Sequence, residues 1–263
     1  MKNTKLYKGF VLLFLIIILA GCNTEMPLQE ADSRVANNIS LNKNSLPNNE
    51  YIKVFYTDNT ITIDGDEKDW VNAPKHQMRQ YFDLGAPIDN KFDLSAYFRM
   101  MWDDENLYVF VNVLDDNISV DADPGEPWNM DSFELFMDAD NSKDAPGEND
   151  PPDWPGTYDE NDDQIRFVWE TAPFSARGHY DVSQFEYAYL ETNDGWNIEI
   201  KMPFSALVDF PAEDGHVFGV EFHINDNDNG IRNNFVKWNA ESDYTYLYPS
   251  LFGSAYLFKS NGN

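Results

Sequence analysis

Three short runs set polar side chains among apolar ones at a spacing that could do chemistry. In Asp131-Ser132-Phe133-Glu134-Leu135-Phe136-Met137-Asp138 the residues at 133, 135 and 137 are apolar and Glu134 falls between them. The same alternation isolates Gln164 and Arg166 in Gln164-Ile165-Arg166-Phe167-Val168-Trp169, and Glu221, His223 and Asn225 in Val220-Glu221-Phe222-His223-Ile224-Asn225. Successive residues of a strand point to opposite sides, so these polar groups leave the face opposite the apolar ones. If the three strands are neighbours, carboxylates, guanidinium, imidazole and amides share one solvent-accessible sheet face. Taken alone, that face need hold only scattered ion pairs worth ~0–1 kcal/mol each. Nearby aromatics argue for more: Trp128 lies in the loop just before the Glu134 strand, and Tyr244, Tyr246 and Tyr248 lie in a second loop that ends at Pro249. A sugar ring offers an apolar C–H face to an aromatic plate and a rim of hydroxyls to carboxylate, guanidinium and amide groups. Trp and Tyr flanking Glu and Arg supply both, unless Trp128 is packed beneath its own loop.

Strands must hold these groups. Leu94, Ala96, Phe98, Met100 and Trp102 share one parity, as do Leu107, Val109, Val111 and Val113, and Asp103-Asp104-Glu105-Asn106 between them predicts a hairpin turn. Trp196, Ile198, Ile200 and Met202 make a further set, and Phe218 opens the run that reaches Ile224. Helical signal is confined to one turn over residues 66–70, after the Asp64-Gly65 bend, and a short helix over residues 203–207 with proline first. Many short strands and almost no helix predict an all-β domain. Its expected form is a two-sheet antiparallel sandwich, immunoglobulin-like or jelly-roll in type, with few short helices. Residues 138–163 break the rhythm: acid-rich and interrupted by Pro146, Pro151, Pro152 and Pro155, they predict a long surface loop.

The start of the chain reads as an address. Lys2, Lys5 and Lys8 precede an uncharged apolar run over residues 10–20, laid out as an export signal and too short to span a bilayer comfortably. The run closes on Leu19-Ala20-Gly21-Cys22, which resembles the lipobox of bacterial lipoproteins, where the cysteine takes the lipid and becomes the first mature residue. The expected organisation is a signal over residues 1–22, a polar flexible tether over 23–50 and one domain over 51–263. Such a protein is exported and sits at the bacterial outer membrane or cell surface, or faces the periplasm, touching the membrane only through the lipid on Cys22. Cys22 is the only cysteine, so disulfide, zinc-thiolate and cysteine-nucleophile chemistry are excluded from the domain.

Charge narrows the partners. The net charge of −28 would repel phosphate backbones, so nucleic acid is not an expected partner. Aromatic residues make up 15% of the chain, which is enough to build a core and sets it apart from disordered acidic segments.

Several motifs now combine. They are Ile63-Asp64-Gly65-Asp66 through Trp70, Trp102-Asp103-Asp104 with Leu107-Tyr108-Val109, Pro127-Trp128 followed by Asp131-Ser132-Phe133-Glu134, Asp163-Gln164-Ile165-Arg166, residues 200–203 and residues 249–253. In this order and spacing they resemble the family 9 carbohydrate-binding modules, from about residue 51 to 259. The resemblance implies a two-sheet sandwich with structural calcium, found attached to xylanases, in which two aromatics clamp the end of a glycan. It makes Trp128 the first clamp aromatic, Glu134 the carboxylate that bonds sugar hydroxyls and Arg166 the guanidinium beside it. Tyr246 stands at the place of the second clamp aromatic, usually Trp. Asp243 stands where an amide is expected, His223 where a Gln would bond the sugar, and Val168 where the arginine has a polar neighbour. The expected partner is an oligo- or polysaccharide of xylan type, held for capture or for breakdown by neighbouring glycan-degrading enzymes.

A calcium site is expected but not located by sequence. Asp138-Ala139-Asp140-Asn141-Ser142 begins like a calcium loop, yet Lys143 stands where an EF-hand needs Gly and Asn149 where it needs Glu. Two other classes stay open. A glycoside hydrolase needs a pair of acids at a set separation, which 46 acidic residues readily supply. A haem or electron-transfer sandwich would draw on Met and on His76, His179, His216 and His223.

Overall fold

The computed structural model describes residues 7–8, 51–85, 87–143 and 157–260. The export signal apart from residues 7–8, Cys22, the 23–50 tether and the central part of the proline-rich stretch lie outside the described residues.

Alternating apolar runs become strands as the period-two reading requires. In chain order these are β1 (Tyr7–Lys8), β2 (Tyr51–Tyr56), β3 (His76–Gln77), β4 (Gln80–Asp83), β5 (Leu94–Trp102), β6 (Asn106–Asp115) and β7 (Ser132–Asp138). They continue with β8 (Asp162–Val168), β9 (Phe174–Ser175), β10 (Glu186–Glu191), β11 (Gly195–Pro203), β12 (Val217–Asp226), β13 (Asn234–Lys237) and β14 (Gly253–Phe258). The expected helical turns are short 3₁₀ turns, Glu67–Trp70 and Phe204–Ala206, the latter preceded by Pro203.

Strands β10, β11, β6 and β5 pair antiparallel in that order and form one layer; β12, β7, β8 and β9 pair antiparallel and form the core of the other. On the free side of β12, β14 takes its first half and β13 its second, and β4 extends the layer from β13. β2 joins the layers through the only parallel pairings among the described residues, with β14 along five residues and with β5 at Phe55–Met101 and Tyr56–Trp102. The fold is therefore a β-sandwich curled from one continuous sheet, antiparallel everywhere except at β2.

The core lies between the layers. Ala96, Phe98, Met100, Val109, Val111 and Ile198 come from one side; Phe133, Leu135, Phe167, Val220 and Phe222 come from the other. Phe98 and Phe222 stack across the interface with centroids 3.7 Å apart. Each such ring removed from water contributes about 1.5–3 kcal/mol.

A second, smaller core covers the outer side of the β5–β6–β11 layer, where Ile61, Ile63, Trp70 and Ala73 pack on Met101, Tyr108 and Phe110. A buried carboxylate pins this cover: Glu199 accepts Asp64 N at 2.8 Å, Gly65 N at 2.7 Å and Trp70 Nε1 at 2.6 Å. Gly65 has φ +79°, and a Cβ there would lie 2.6 Å from Leu190 Cβ, so both its conformation and its space demand glycine. The Ile63-Asp64-Gly65 to Trp70 motif is thus structural. The outer side of the other layer carries the polar runs.

Candidate functional site

The strand registers line up one residue from each of six adjacent strands: Phe174, Arg166, Glu134, His223, Lys237 and Gln80, running from β9 to β4. Glu134, Arg166 and His223 do share a face, as parity requires. The face is not open, however. Glu134 is 3% exposed, His223 4% and Arg166 7%, because loops fold over it. The 3₁₀ turn Asp243–Tyr246 covers His223, whose Nε2 lies 3.0 Å from Thr245 Oγ1, and Tyr158 secures that turn by donating its hydroxyl to Thr245 O at 2.7 Å. The Pro127–Asn129 turn brings Trp128 against Arg166.

Glu134 is the hub. Its Oε1 accepts Arg166 Nε at 3.0 Å and Asn225 Nδ2 at 2.7 Å, and its Oε2 accepts Gln164 Nε2 at 2.6 Å. Burial works to raise its carboxyl, but the charge and hydrogen bond of Arg166 and the amide of Asn225 outweigh it and hold the group below the ordinary glutamate value. Arg166 spends only Nε on protein: among the described residues its two terminal nitrogens have no hydrogen-bond partner. Its guanidinium carbon lies 5.7 Å from the ring centres of both Trp128 and Phe174.

A polar relay runs from Glu134 to the tyrosine turn. Asn225 Oδ1 accepts Arg232 NH1 at 3.1 Å, and Arg232 NH2 lies 3.7 Å from Asp243 Oδ2. Fully buried Lys237 reaches Asp243 Oδ1 at 3.2 Å and donates to Ser242 O at 2.7 Å. Asp243 is thus matched by two cations. Tyr246, half-buried in the same turn, has its main-chain oxygen held by Arg177, and Arg177 in turn lies 4.2 Å from the Tyr158 ring centre.

Trp128 and Glu134 therefore each meet Arg166. Asp243 joins them through Arg232 and Asn225, and Tyr246 is carried on the Asp243 turn. Among the described residues no ring contact joins Trp128 to Tyr246; the neighbour of Tyr246 is Tyr244, at 6.4 Å. Arg232, Lys237, Phe174 and Arg177 were not legible as site residues. Strand parity in Asn234-Phe235-Val236-Lys237 would have placed Lys237 on this face had its pairing with β12 been known.

The stretch that opens like a calcium loop is closed by its own lysine. Lys143 Nζ donates to Phe252 O at 3.2 Å and Gly253 O at 2.9 Å, while Asp138 accepts the Ser142 and Lys143 amides. A different cluster has the donors a hard cation needs. Asp115, Asp131 and Asp226, all nearly inaccessible, each place one carboxylate oxygen within 4.8 Å of the others. Among the described residues no Lys or Arg pairs with them. Loss of hydration raises all three carboxyls above the ordinary range, and the charge of Asp115 adds to the rise in the other two. Beside them Asn234, 1% exposed, has a side-chain oxygen without a hydrogen-bond partner, while its Nδ2 reaches Asp226 Oδ2 at 3.4 Å. Calcium holds oxygen ligands at roughly 2.3–2.6 Å, so ligands on opposite sides stand about 5 Å apart. The three acids fit such an ion, and the amide of Asn234 adjoins them at Asp226.

A β-sandwich whose outer face presents a buried carboxylate–guanidinium pair beneath loop aromatics defines a ligand-binding module. The chain belongs to the family 9 carbohydrate-binding modules: the family described as "Carbohydrate family 9 binding domain-like" matches residues 63–260. Among curated relatives, endo-1,4-beta-xylanase A of Thermotoga neapolitana is 27% identical over 201 residues, 76% of this chain and 17% of that enzyme. Endo-1,4-beta-xylanase A of Thermoanaerobacterium saccharolyticum is 30% identical over 165 residues, 62% of this chain and 13% of that enzyme. The chain thus spans less than a fifth of the curated relatives it matches. A family 9 module from Caldicellulosiruptor kristjanssonii, solved in complex with glucose, superposes with a TM-score of 0.66 at 24% identity, covering 81% of this chain and 98% of that one. The same module solved with cellotriose gives a TM-score of 0.65.

Proposed function

We propose that the domain binds carbohydrate and performs no reaction on it. A pyranose stacks on Trp128 with Tyr246 as the opposing plate, and its hydroxyls take the free terminal nitrogens of Arg166. Glu134 orients that guanidinium, Asp243 shapes the rim, and His223 supports the Asp243 turn from beneath through Thr245. The observation that carries this reading is the pairing of an aromatic plate with the two unspent terminal nitrogens of Arg166, the combination a sugar face and rim require. Glu134 is a poor general acid, since glycoside hydrolysis needs a carboxyl with a raised pKa and this one is held low. The histidines have structural partners: His223 bonds Thr245, His216 lies 2.8 Å from Ala139 O, His179 2.6 Å from Asp162 O, and His76 stacks on Phe98.

Relatives that carry this module on xylanases, and a neighbour solved with glucose and cellotriose, support β-linked xylan or glucan as the polysaccharide captured. Calorimetry with glucose, cellotriose and xylotriose tests the site: Trp128→Ala and Tyr246→Ala should each weaken binding at least ~10-fold while leaving the fold intact. Unchanged isotherms for both variants place the site elsewhere, and reducing sugar released from xylan or glucan would make the protein a hydrolase.

We further infer that Cys22 carries lipid and tethers the domain at the membrane surface, near glycan-degrading enzymes. Fatty-acid labelling that survives Cys22→Ser would refute this. We also propose that Asp115, Asp131 and Asp226, with Asn234 beside them, hold a structural calcium, a reading supported by their convergent buried carboxylates. A melting temperature equal with and without chelator would count against it.

A further inference from the structure

We propose that the cation held by Asp115, Asp131 and Asp226 is the clasp that seats the Trp128 loop, so that metal and sugar bind cooperatively. The proposal rests on the carbohydrate and calcium readings above and adds a coupling between them. Of the three acids, Asp115 ends β6 and Asp226 ends β12, so the sheet fixes both. Asp131 instead closes the loop that carries Trp128, three residues further on, just before β7 begins.

That loop is tied down almost entirely through Asp131 and its contacts. Asp131 N donates to Ser119 O at 2.9 Å, and its carboxylate accepts Ser119 N on one oxygen and Asn227 N, at 2.8 Å, on the other. Asn227 Nδ2 then donates to Asn129 O at 2.7 Å, next to Trp128, and Asn129 Oδ1 accepts Arg232 N at 3.3 Å. Arg232 belongs to the relay that reaches Glu134. Each Asp131 oxygen accepts one backbone amide and retains a lone pair for a metal. The amide oxygen of Asn234, more than nine-tenths buried beside Asp226 and without a hydrogen-bond partner among the described residues, is a second and independent sign that this place takes a ligand.

With a divalent ion present, three carboxylates are drawn together and Trp128 is fixed over Arg166. Without it the three carboxyls share no common partner in a site stripped of water, and the element free to shift is Asp131 with its loop, since Asp115 and Asp226 belong to strands. The two bound states then share one free-energy coupling, which acts equally in both directions.

The test uses the full chain with Cys22→Ser, freed of metal by chelation and then titrated with calcium chloride. Calcium should bind by calorimetry, and hydrogen exchange should slow selectively at amides 119–131 and 227–233. Cellotriose affinity should rise about 10-fold or more. Asp131→Asn should abolish both the calcium isotherm and the selective slowing, whereas Asp93→Asn, in the half-exposed acidic group formed with Asp116 and Asp228, should preserve them. Calcium binding with cellotriose affinity unchanged, or with exchange slowed uniformly or only elsewhere, overturns the coupling and leaves both parent readings standing. Absence of calcium binding overturns the coupling together with the metal assignment. Absence of cellotriose binding in either state removes the carbohydrate reading, and the exchange pattern alone then decides whether the ion seats the loop.

Discussion

Glu134 and Arg166 stand directly opposite each other on β7 and β8, and Arg166 offers its Nε to Glu134 Oε1 at 3.0 Å. Because the side-on contact uses the nitrogen nearest the chain, the forked end of the guanidinium stays available. Lysine has no such fork, so Arg166→Lys should keep the fold and lower cellotriose affinity by ~10- to 100-fold in calorimetry. Glu134→Gln leaves a buried guanidinium without its counter-charge and should cost about 3 kcal/mol in urea unfolding.

His223 supplies a pH dependence. Burial first, and then the charges of Lys237, Arg232 and Arg166, hold its imidazole well below the ordinary histidine value. The folded protein thus keeps the ring neutral at pH values where the unfolded chain, with an ordinary pKa of about 6.5, takes up a proton. This contribution is intact above about pH 6.5 and is lost as pH falls below it, with a slope approaching ~1.4 kcal/mol per pH unit. Urea midpoints measured from pH 7.5 to 5 should fall more steeply for the parent than for His223→Gln.

Glu199 separates stability from binding. Replacing it by Gln turns one acceptor into a donor facing the Asp64, Gly65 and Trp70 N–H groups, an expected loss of about 2–3 kcal/mol. The cover it pins lies on the other layer from Trp128, so cellotriose affinity at 20 °C should match the parent's; a parallel loss of affinity would show that the two outer faces communicate.

Arg177 is exposed, yet it holds the Tyr246 carbonyl and packs on Tyr158. Arg177→Ala should leave stability within about 0.5 kcal/mol, as is usual at the surface. It should weaken sugar binding about fivefold, the equivalent of one net hydrogen bond of ~1 kcal/mol. Full affinity would show that the turn is seated without it.

Much of the layout was legible because a strand hides one parity of side chains. That rule placed Glu134, Arg166 and His223 on a shared face, and the hairpin at Asp103 to Asn106 closed as its residues required, with Asp103 N bonded to Asn106 O. Burial of that face was not legible, since it depends on turns such as Asp243–Tyr246 folding back over strands distant in sequence. The acid cluster escaped for the same reason: Asp115, Asp131 and Asp226 obey no spacing, and only the meeting of the ends of β6 and β12, strands of different layers, with the residue before β7 gathers them. The two parallel pairings of β2 were hidden as well, because a strand's own alternation says nothing about the direction of its neighbour.

The longest pairing of β2 is with β14, the last strand among the described residues. The sheet therefore cannot close until β14 has been made, and contacts of such long separation make for slow folding. A protein clipped before Gly253 would leave β2 and the first half of β12 as bare edges, templates for self-association. Loss of residues 253–263 should accordingly produce insoluble material rather than a weakened binder.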